Sequence, residues 1–138
     1  MDDRVQRLID ESEIRNLLSQ IAQLSDEGTL EDYIACFTED AAWGGAGFPE
    51  RKGHDEILAG ARERRASGIS GPGSNTRHLI STSRFEIDGD TARARSVFLF
   101  YRDTLGSPVL DVMGVWEDEL RRNETGWKLA RRTIVRPE

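Results

Sequence analysis

The second half of the chain decides the fold. Residues 76–135 read TRHLISTSRFEIDGDTARARSVFLFYRDTLGSPVLDVMGVWEDELRRNETGWKLARRTIV. Four segments of this stretch are rich in β-branched and aromatic residues and therefore predict strands: 76–87, 91–103, 108–121 and 125–135. The sequences between them are typical of hairpin turns: Asp88-Gly89-Asp90, Gly106-Ser107 and Asn123-Glu124-Thr125-Gly126. Because each segment exceeds the usual strand length of about five or six residues, we expect a strongly twisted and curled antiparallel sheet.

The first half of the chain has helical periodicity. Apolar residues recur at helical spacing at Ile14, Leu17, Leu18, Ile21 and Leu24. They predict a helix from about residue 3 to about residue 26, which ends at Gly28. A capping box, Thr29-x-x-Asp32, predicts a short helix through Tyr33, Ile34 and Phe37. A brief strand at 41–43 and a third helix over about 54–66 follow.

This order of elements predicts the fold class. Helices followed by an antiparallel meander indicate an α+β domain with the helices packed on one face of the sheet. A curled sheet covered by helices makes a cone with an interior pocket. The length of 138 residues favours a single domain, 1–138.

Composition excludes several classes of partner. The net charge of −6 and the pI near 5.0 argue against nucleic acid, which rewards clustered Lys and Arg. No apolar run approaches the roughly 18 residues of a membrane helix, and the N-terminus MDDRVQRLIDESE is too acidic for a signal peptide. We therefore expect a cytoplasmic protein without nucleic-acid or membrane partners.

The chain has few of the cysteine and histidine ligands that zinc sites use. Cys36 is the only cysteine, so no internal disulfide can form, and the two histidines are far apart in the sequence. This set makes a zinc site improbable, and we expect no cofactor.

The alternation of side chains predicts the wall of the pocket. In the second long strand Ala92, Ala94, Ser96, Phe98 and Phe100 share one face. In the third, Val109, Asp111, Met113 and Val115 alternate with Leu110, Val112, Gly114 and Trp116. Both of these faces are apolar, which predicts a central strand covered on both sides, and Gly114 is a candidate for a bulge. The apolar wall is predicted to comprise Trp43, Phe98, Phe100, Met113, Val115 and Ile134.

Three polar residues are further candidates for the pocket. Asp111 is an acid on the predicted inner face, and Tyr33 either supplies a hydroxyl group or packs between helices. In the last strand Arg132 shares a face with Ala130 and Ile134. Such an arginine either covers the rim with its stem or anchors an anion, and the first interpretation is favoured by default.

Asp26 and His78 are the most informative pair. Asp26 ends the first helix at the edge of its apolar stripe, and His78 begins a predicted strand face with Ile80 and Thr82, opposite Leu79, Phe85 and Ile87. If the two side chains meet, the carboxylate can orient the imidazole and stabilise the imidazolium that forms when it accepts a proton. Spacing alone more often indicates a structural histidine and local capping chemistry at the helix end. His54, in a charged helix start, is expected at the surface.

Short motifs along nearly the whole chain carry a family resemblance. They are Glu13-Ile14-Arg15-Asn16-Leu17-Leu18, Leu24-Ser25-Asp26, Cys36-Phe37-Thr38-Glu39-Asp40-Ala41-Ala42-Trp43, Arg51-Lys52-Gly53-His54-Asp55-Glu56-Ile57, Thr76-Arg77-His78, Ile87-Asp88-Gly89-Asp90-Thr91-Ala92 and Gly126-Trp127-Lys128-Leu129. In this arrangement the chain resembles the SnoaL-like branch of the nuclear transport factor 2-like superfamily. The resemblance implies a cone-shaped, cystatin-like roll.

Within that superfamily the chain is similar to the scytalone dehydratase and lindane dehydrochlorinase types. The resemblance implies that Asp26 and His78 are the catalytic pair and that Arg132 is a pocket arginine. The chain also departs from both types. Ser25 stands where the dehydratase has a tyrosine, a second pocket histidine is missing, and Ile21 stands where the dehydrochlorinase has a lysine. The substrates of those enzymes are therefore not transferred to this chain.

These observations lead to one main hypothesis of function and two alternatives. The main hypothesis is a cofactor-independent lyase, of dehydratase or dehydrohalogenase type, that removes an activated proton from a small hydrophobic ring compound. His78 accepts the proton, Asp26 orients it, and Arg132 stabilises negative charge or a leaving group. The alternatives are an isomerase or polyketide-cyclase-type enzyme with Asp26 as the base, and a non-catalytic binding or accessory-subunit domain.

An apolar outer sheet surface also predicts self-association. Val97, Leu99 and Tyr101, with Leu110, Val112 and Trp116 beside them, would leave a broad apolar patch on a monomer. We expect a homo-oligomer, either a dimer or a trimer.

Overall fold

A computed structural model describes residues 2–136. Its elements are α1 (Asp3–Glu27), α2 (Leu30–Ile34), β1 (Phe37–Gly45), β2 (Phe48–Lys52), α3 (Gly53–Ala66), β3 (Arg77–Asp88), β4 (Thr91–Arg102), β5 (Val109–Asn123) and β6 (Gly126–Val135). The helices and the four long strands agree with the prediction. The sequence patterns missed β2, and Phe37 begins β1 rather than ending the second helix.

The six strands form one open sheet in the order β2-β1-β6-β5-β4-β3. The hairpins β3 to β6 are antiparallel as predicted, but β1 runs parallel to β6. The sheet is therefore mixed rather than wholly antiparallel. The α+β class with N-terminal helices packed on the sheet is confirmed. None of the helices within residues 2–136 is long and apolar enough to cross a membrane.

The ends of α1 and α2 are defined by local capping. The Asp2 side chain accepts a hydrogen bond from the Arg4 backbone N–H at 2.8 Å, which begins α1. The Gly28 N–H donates to the Leu24 carbonyl at 3.0 Å, which ends it. Thr29 Oγ1 then accepts from the Asp32 N–H at 3.1 Å, which is one of the two hydrogen bonds of a capping box.

The core lies between the helices and the inner face of the sheet. Its largest fully buried apolar side chains come from α1, α3 and two of the long strands: Ile14, Leu18, Ile21, Ile57, Leu120 and Leu129. His54, predicted at the surface, is half-buried and its Nε2 lies 3.1 Å from the Phe37 carbonyl oxygen. It therefore ties the start of α3 to β1.

A bulge in β3 changes the predicted faces of that strand. His78 pairs with Phe100 and Ile80 with Phe98, but the register shifts between Ile80 and Thr82. Beyond the shift Phe85 and Ile87 pair with the inward residues Ala94 and Ala92. The prediction that Phe85 and Ile87 lie opposite His78 is therefore wrong, because one extra residue reverses the alternation.

The faces of β5 also differ from the prediction. Val112, Gly114 and Trp116 pair with the inward residues Phe100, Phe98 and Ser96. Val115 pairs with Val97 on the outer face, so its placement in the pocket wall is wrong, as is the placement of Trp116 and Val112 on the outer surface. The bulge lies at Asp111 rather than Gly114, since the register shifts between the Phe100 and Tyr101 pairs.

The start of β5 is open to solvent. The strand is central in the sheet as predicted, but Val109, Leu110, Val112 and Met113 are exposed, so it is not covered on both sides. With Leu79 they leave apolar surface on this part of the molecule. The expected homo-oligomer remains a prediction.

Arg132 is held inside the sheet rather than at its rim. Its guanidinium group donates two hydrogen bonds of 2.9 Å to the Asp118 carboxylate across the β5–β6 pair. Side-chain exposure is 4% for Arg132 and 0% for Asp118. Burial raises the pKa of the Asp118 carboxyl group, and the neighbouring Arg132 opposes that rise. The favoured interpretation of Arg132 as a rim residue is therefore wrong.

The packing of Phe98 against Gly114 predicts the effect of filling that site. A Cβ atom at position 114 would overlap the Phe98 ring. We expect Gly114→Ala to displace this ring and to lower the free energy of unfolding by about 1–3 kcal/mol. Urea denaturation measures the change, and Gly106→Ala, where an added Cβ meets nothing within 4 Å, is the matched control. Equal stability of the two variants would contradict the close approach.

The buried ion pair of Arg132 and Asp118 predicts that removing one partner destabilises the fold more than replacing both. Asp118→Ala leaves the Arg132 cation buried without its partner and should destabilise the fold by about 3–5 kcal/mol. The double variant Asp118→Ala/Arg132→Met should recover much of that loss in urea denaturation. Glu117→Ala removes an acid at 55% exposure on the same strand and should change stability by less than about 1 kcal/mol. Failure of the double variant to recover stability would contradict this account.

Candidate active site

Asp26 and His78 meet through two hydrogen bonds. His78 Nδ1 lies 2.6 Å from Asp26 Oδ1, and the His78 backbone N–H donates to Asp26 Oδ2 at 2.8 Å. A carboxylate only accepts, so the ring proton of neutral His78 resides on Nδ1. The carboxylate thus fixes both the tautomer and the orientation of the imidazole.

The second ring nitrogen of His78 is open to the interior cavity. Nε2 makes no hydrogen bond to any group in residues 2–136. Every fully buried side-chain nitrogen or oxygen atom in these residues has a hydrogen-bond partner, so Nε2, which has none, is accessible. The His78 side chain is 18% exposed, whereas that of Asp26 is 1% exposed. With Nδ1 protonated, Nε2 carries the free lone pair that a general base requires.

Aromatic rings hold the imidazole in place. The His78 ring centroid lies 4.4 Å from that of Phe100, 5.7 Å from Trp116 and 6.0 Å from Phe98. Phe98 and Trp116 stack on each other at 4.5 Å. Packing on these sides limits the rotation of the imidazole and leaves its free nitrogen in an apolar setting.

Arg65 of α3 supports the end of α1 that carries Asp26. Its guanidinium group donates to the carbonyl oxygens of Leu24 and Ser25 at 3.0 and 3.2 Å. These carbonyls belong to the negative end of the helix dipole, and α1 has no basic residue in its last turn. Arg65 therefore supplies a favourable positive charge at this helix end.

His78 lies in the wall of a mostly apolar cavity of about 360 Å³, whereas the buried Asp26 is not among the lining residues. Of the predicted pocket residues, the cavity is lined by Tyr33, Trp43, His78, Phe98, Phe100, Asp111, Met113, Arg132 and Ile134. Val115 is not among the lining residues. A cavity of this size and composition suits a small ring compound.

Arg132 contributes to the cavity as a paired cation. Its guanidinium group lies 3.8 Å from the centroid of the Trp116 ring while bound to Asp118. The pairing with Asp118 offsets its positive charge. The structure therefore places Arg132 in the cavity without making it free to bind an anion.

Sequence analysis missed several lining residues, of which Arg64 is the most informative. Arg64 lies on the inward side of α3, with its guanidinium group 4.2 Å from the centroid of the Trp43 ring. Ile69 and Ser70 of the segment after α3, and Phe48 of β2, also line the cavity. The helical periodicity of α3, in which Arg64 is three residues after buried Ala61, was the available signal.

Burial shifts the pKa values of Tyr33 and Arg64, two polar residues that line the cavity. It raises the pKa of the Tyr33 hydroxyl group, and the positive charge of Arg64 opposes that rise. It lowers the pKa of the Arg64 guanidinium group, which remains a cation at neutral pH. Residues 2–136 contain no cluster of three His, Cys, Asp or Glu side chains that could hold a metal ion.

Comparison with known proteins places this geometry in a family. The model of the SnoaL-like domain matches residues 6–133. A nuclear transport factor 2-like protein with a cystatin-like fold from Novosphingobium aromaticivorans is 28% identical, with a TM-score of 0.79 over 97% of this chain and 90% of that one. No curated protein sequence matches this chain significantly.

Two further solved structures share the fold. LinA, a lindane dehydrochlorinase, is 20% identical with a TM-score of 0.79, over 95% of this chain and 88% of its own. A Streptomyces avermitilis protein with a provisional dehydratase assignment is 16% identical with a TM-score of 0.76, over 91% of this chain and 95% of that one. The match to the family model over residues 6–133 shows that this chain belongs to the SnoaL-like domain family.

Proposed function

We propose that this protein is a lyase that removes an activated proton from a small hydrophobic ring compound, using only its own side chains. The observation that carries the proposal is the geometry of the dyad. His78 Nδ1 is bound to a buried carboxylate at 2.6 Å, and Nε2 is open to a mostly apolar cavity. This arrangement supplies an oriented base beside a site for a ring.

The reaction follows from the protonation state of the dyad. His78 Nε2 accepts a proton from a carbon whose C–H bond is activated by a neighbouring group. The electron pair of that bond forms a carbon–carbon double bond as the leaving group departs from the adjacent carbon. A hydroxyl group leaves as water after it takes a proton from the imidazolium, whereas a halide leaves as the anion. Asp26 stabilises the imidazolium throughout.

The alternative in which Asp26 itself is the base has less support. Both of its carboxylate oxygens accept hydrogen bonds from His78, and its side chain is 1% exposed. A substrate would have to displace His78 to reach it. The fold that this chain shares with LinA and with the provisional dehydratase is compatible with an elimination.

The first test is the removal of the proposed base. Ring compounds with a hydroxyl group or halide next to an activated C–H are screened for formation of a double bond by ultraviolet absorbance. On an active substrate His78→Ala should lower kcat by about 10²–10⁴-fold, because general-base catalysis is lost. His54→Ala is the matched control and should retain activity, because His54 does not line the cavity and contacts the Phe37 carbonyl oxygen at the start of α3. Full activity of His78→Ala would contradict the proposal.

A second test separates the roles of the two residues. Asp26→Asn keeps the size of the side chain but removes the charge that stabilises an imidazolium, and we expect kcat to fall by at least about tenfold. Circular dichroism and the thermal midpoint verify that each variant is folded. Loss of activity in Asp26→Asn together with retention in His78→Ala would favour the isomerase or cyclase alternative. Ligand binding without turnover of any screened compound would favour a binding domain.

A further inference from the structure

Three arginines near Arg64 and Tyr33 are held by other groups. These three are Arg51, which is 2.6 Å from the Glu63 carboxylate, Arg65, which donates to two carbonyls of α1, and Arg132, which is bound to Asp118. Arg64 differs from them. Within residues 2–136 it makes no hydrogen bond and no ion pair, and its guanidinium group lies 4.2 Å from the centroid of the Trp43 ring.

The position of Arg64 depends on a glycine one turn earlier in the helix. A Cβ atom at position 60 would lie 3.3 Å from Arg64 Nη1 and 3.2 Å from Arg51 Nε. Glycine costs an α-helix about 1 kcal/mol relative to alanine. Gly60 therefore provides room for the Arg64 guanidinium group between α3 and Trp43.

The Tyr33 hydroxyl group is a second polar group without a partner on the same wall. Tyr33 is 3% exposed, and its ring packs 5.0 Å from that of Phe37. Its hydroxyl group has no hydrogen-bond partner in the described residues. Because no fully buried polar side-chain atom in these residues lacks a partner, the hydroxyl oxygen must be accessible, and it opens onto the cavity that Tyr33 lines. A buried donor in this position normally receives a partner from water or a ligand.

Arg64 packs on a strand that is well separated in the sheet from the strand of His78. Trp43, over whose ring the Arg64 guanidinium group lies, belongs to β1, whereas His78 belongs to β3, four strand positions further along the sheet. Four interstrand spacings amount to roughly 19 Å along the sheet, and its curl shortens the direct path. A group bound at Arg64 is therefore a substituent remote from the proton that His78 would remove.

The charged residues of the cavity wall differ in their partners and burial. The lining contains one acid, Asp111, and three arginines, of which Arg132 is bound to Asp118. Arg136, just after β6, is exposed, whereas Arg64 is half-buried over the Trp43 ring. Because attraction between unlike charges is stronger away from bulk water, Arg64 is the lining arginine best suited to bind an anion.

We propose that Arg64 and Tyr33 form a subsite for a carboxylate on the ring substrate, which orients the ring with its reacting carbon toward His78. A carboxylate has two acceptor oxygens, one for the guanidinium group and one for the hydroxyl group. This inference extends the function proposed above to one class of substrate, ring acids. It rests on that function only for the reaction at His78, because the subsite binds a carboxylate whether or not turnover follows.

Calorimetric titration with a matched pair of probes tests the subsite. The probes are 2-naphthoate and the neutral 2-naphthamide, which share the ring and differ in charge. The unmodified protein should bind 2-naphthoate at least about tenfold more tightly, as expected for a charge-assisted hydrogen bond. In Arg64→Met, which keeps an apolar stem over Trp43, this preference should disappear while the affinity for 2-naphthamide is unchanged.

Further variants control for net charge and for folding. Arg62→Met removes an exposed arginine of the same helix and should retain the preference. Arg64→Lys should restore part of it, and Tyr33→Phe should reduce the affinity for 2-naphthoate more than that for 2-naphthamide, because a hydrogen bond to a charged acceptor is the stronger one. Equal binding of both probes, no binding of 2-naphthoate, or a preference that survives in Arg64→Met would overturn the proposal. His78→Ala should retain the preference, so a failure of the lyase proposal is distinguishable from a failure of the subsite.

Discussion

The buried carboxylate of Asp26 joins the two halves of this molecule. It terminates the apolar stripe of α1 and accepts hydrogen bonds from both the backbone and the ring of His78, at the start of β3. A carboxylate removed from water requires donors, and only this pairing supplies them within the described residues. The requirement brings the end of α1 against the open edge of the sheet and encloses the cavity there. It also leaves the other imidazole nitrogen facing that cavity.

The arginines of the cavity show how similar side chains receive different roles from their partners. Arg132, with the Asp118 carboxylate beside it, is a structural cation, and Arg65 binds the carbonyl end of α1. Arg64 has only an aromatic ring beside it and stays available to a ligand. The cavity thus combines a carboxylate-bound imidazole, an apolar wall and a half-buried arginine that has no acid partner in the described residues. The proposed proton abstraction and the proposed carboxylate subsite both rest on this combination.

Several features of the fold and the site follow from local sequence. The heptad-like spacing in α1, the capping box at Thr29 and the hairpin turns predicted the main elements, because each depends on residues close in the chain. The dyad was predicted from the positions of Asp26 and His78 and from the family resemblance, and the structure brings the two side chains within 2.6 Å. Alternation within β4 was also sufficient, since only one of its faces is apolar at its start.

The sequence by itself therefore determined the main helices, the four long strands and the α+β class, and it singled out Asp26 and His78 as a pair. Tertiary structure alone decided which way the side chains of β3 and β5 point, because one extra residue at Ser81 or Asp111 reverses every later side chain. It also decided that β1 runs parallel to β6, a long-range pairing without a local signal. Finally, it decided that Arg132 is paired with an acid whereas Arg64 lies over an aromatic ring. The pairing of a charge depends on groups that folding brings together from distant parts of the chain.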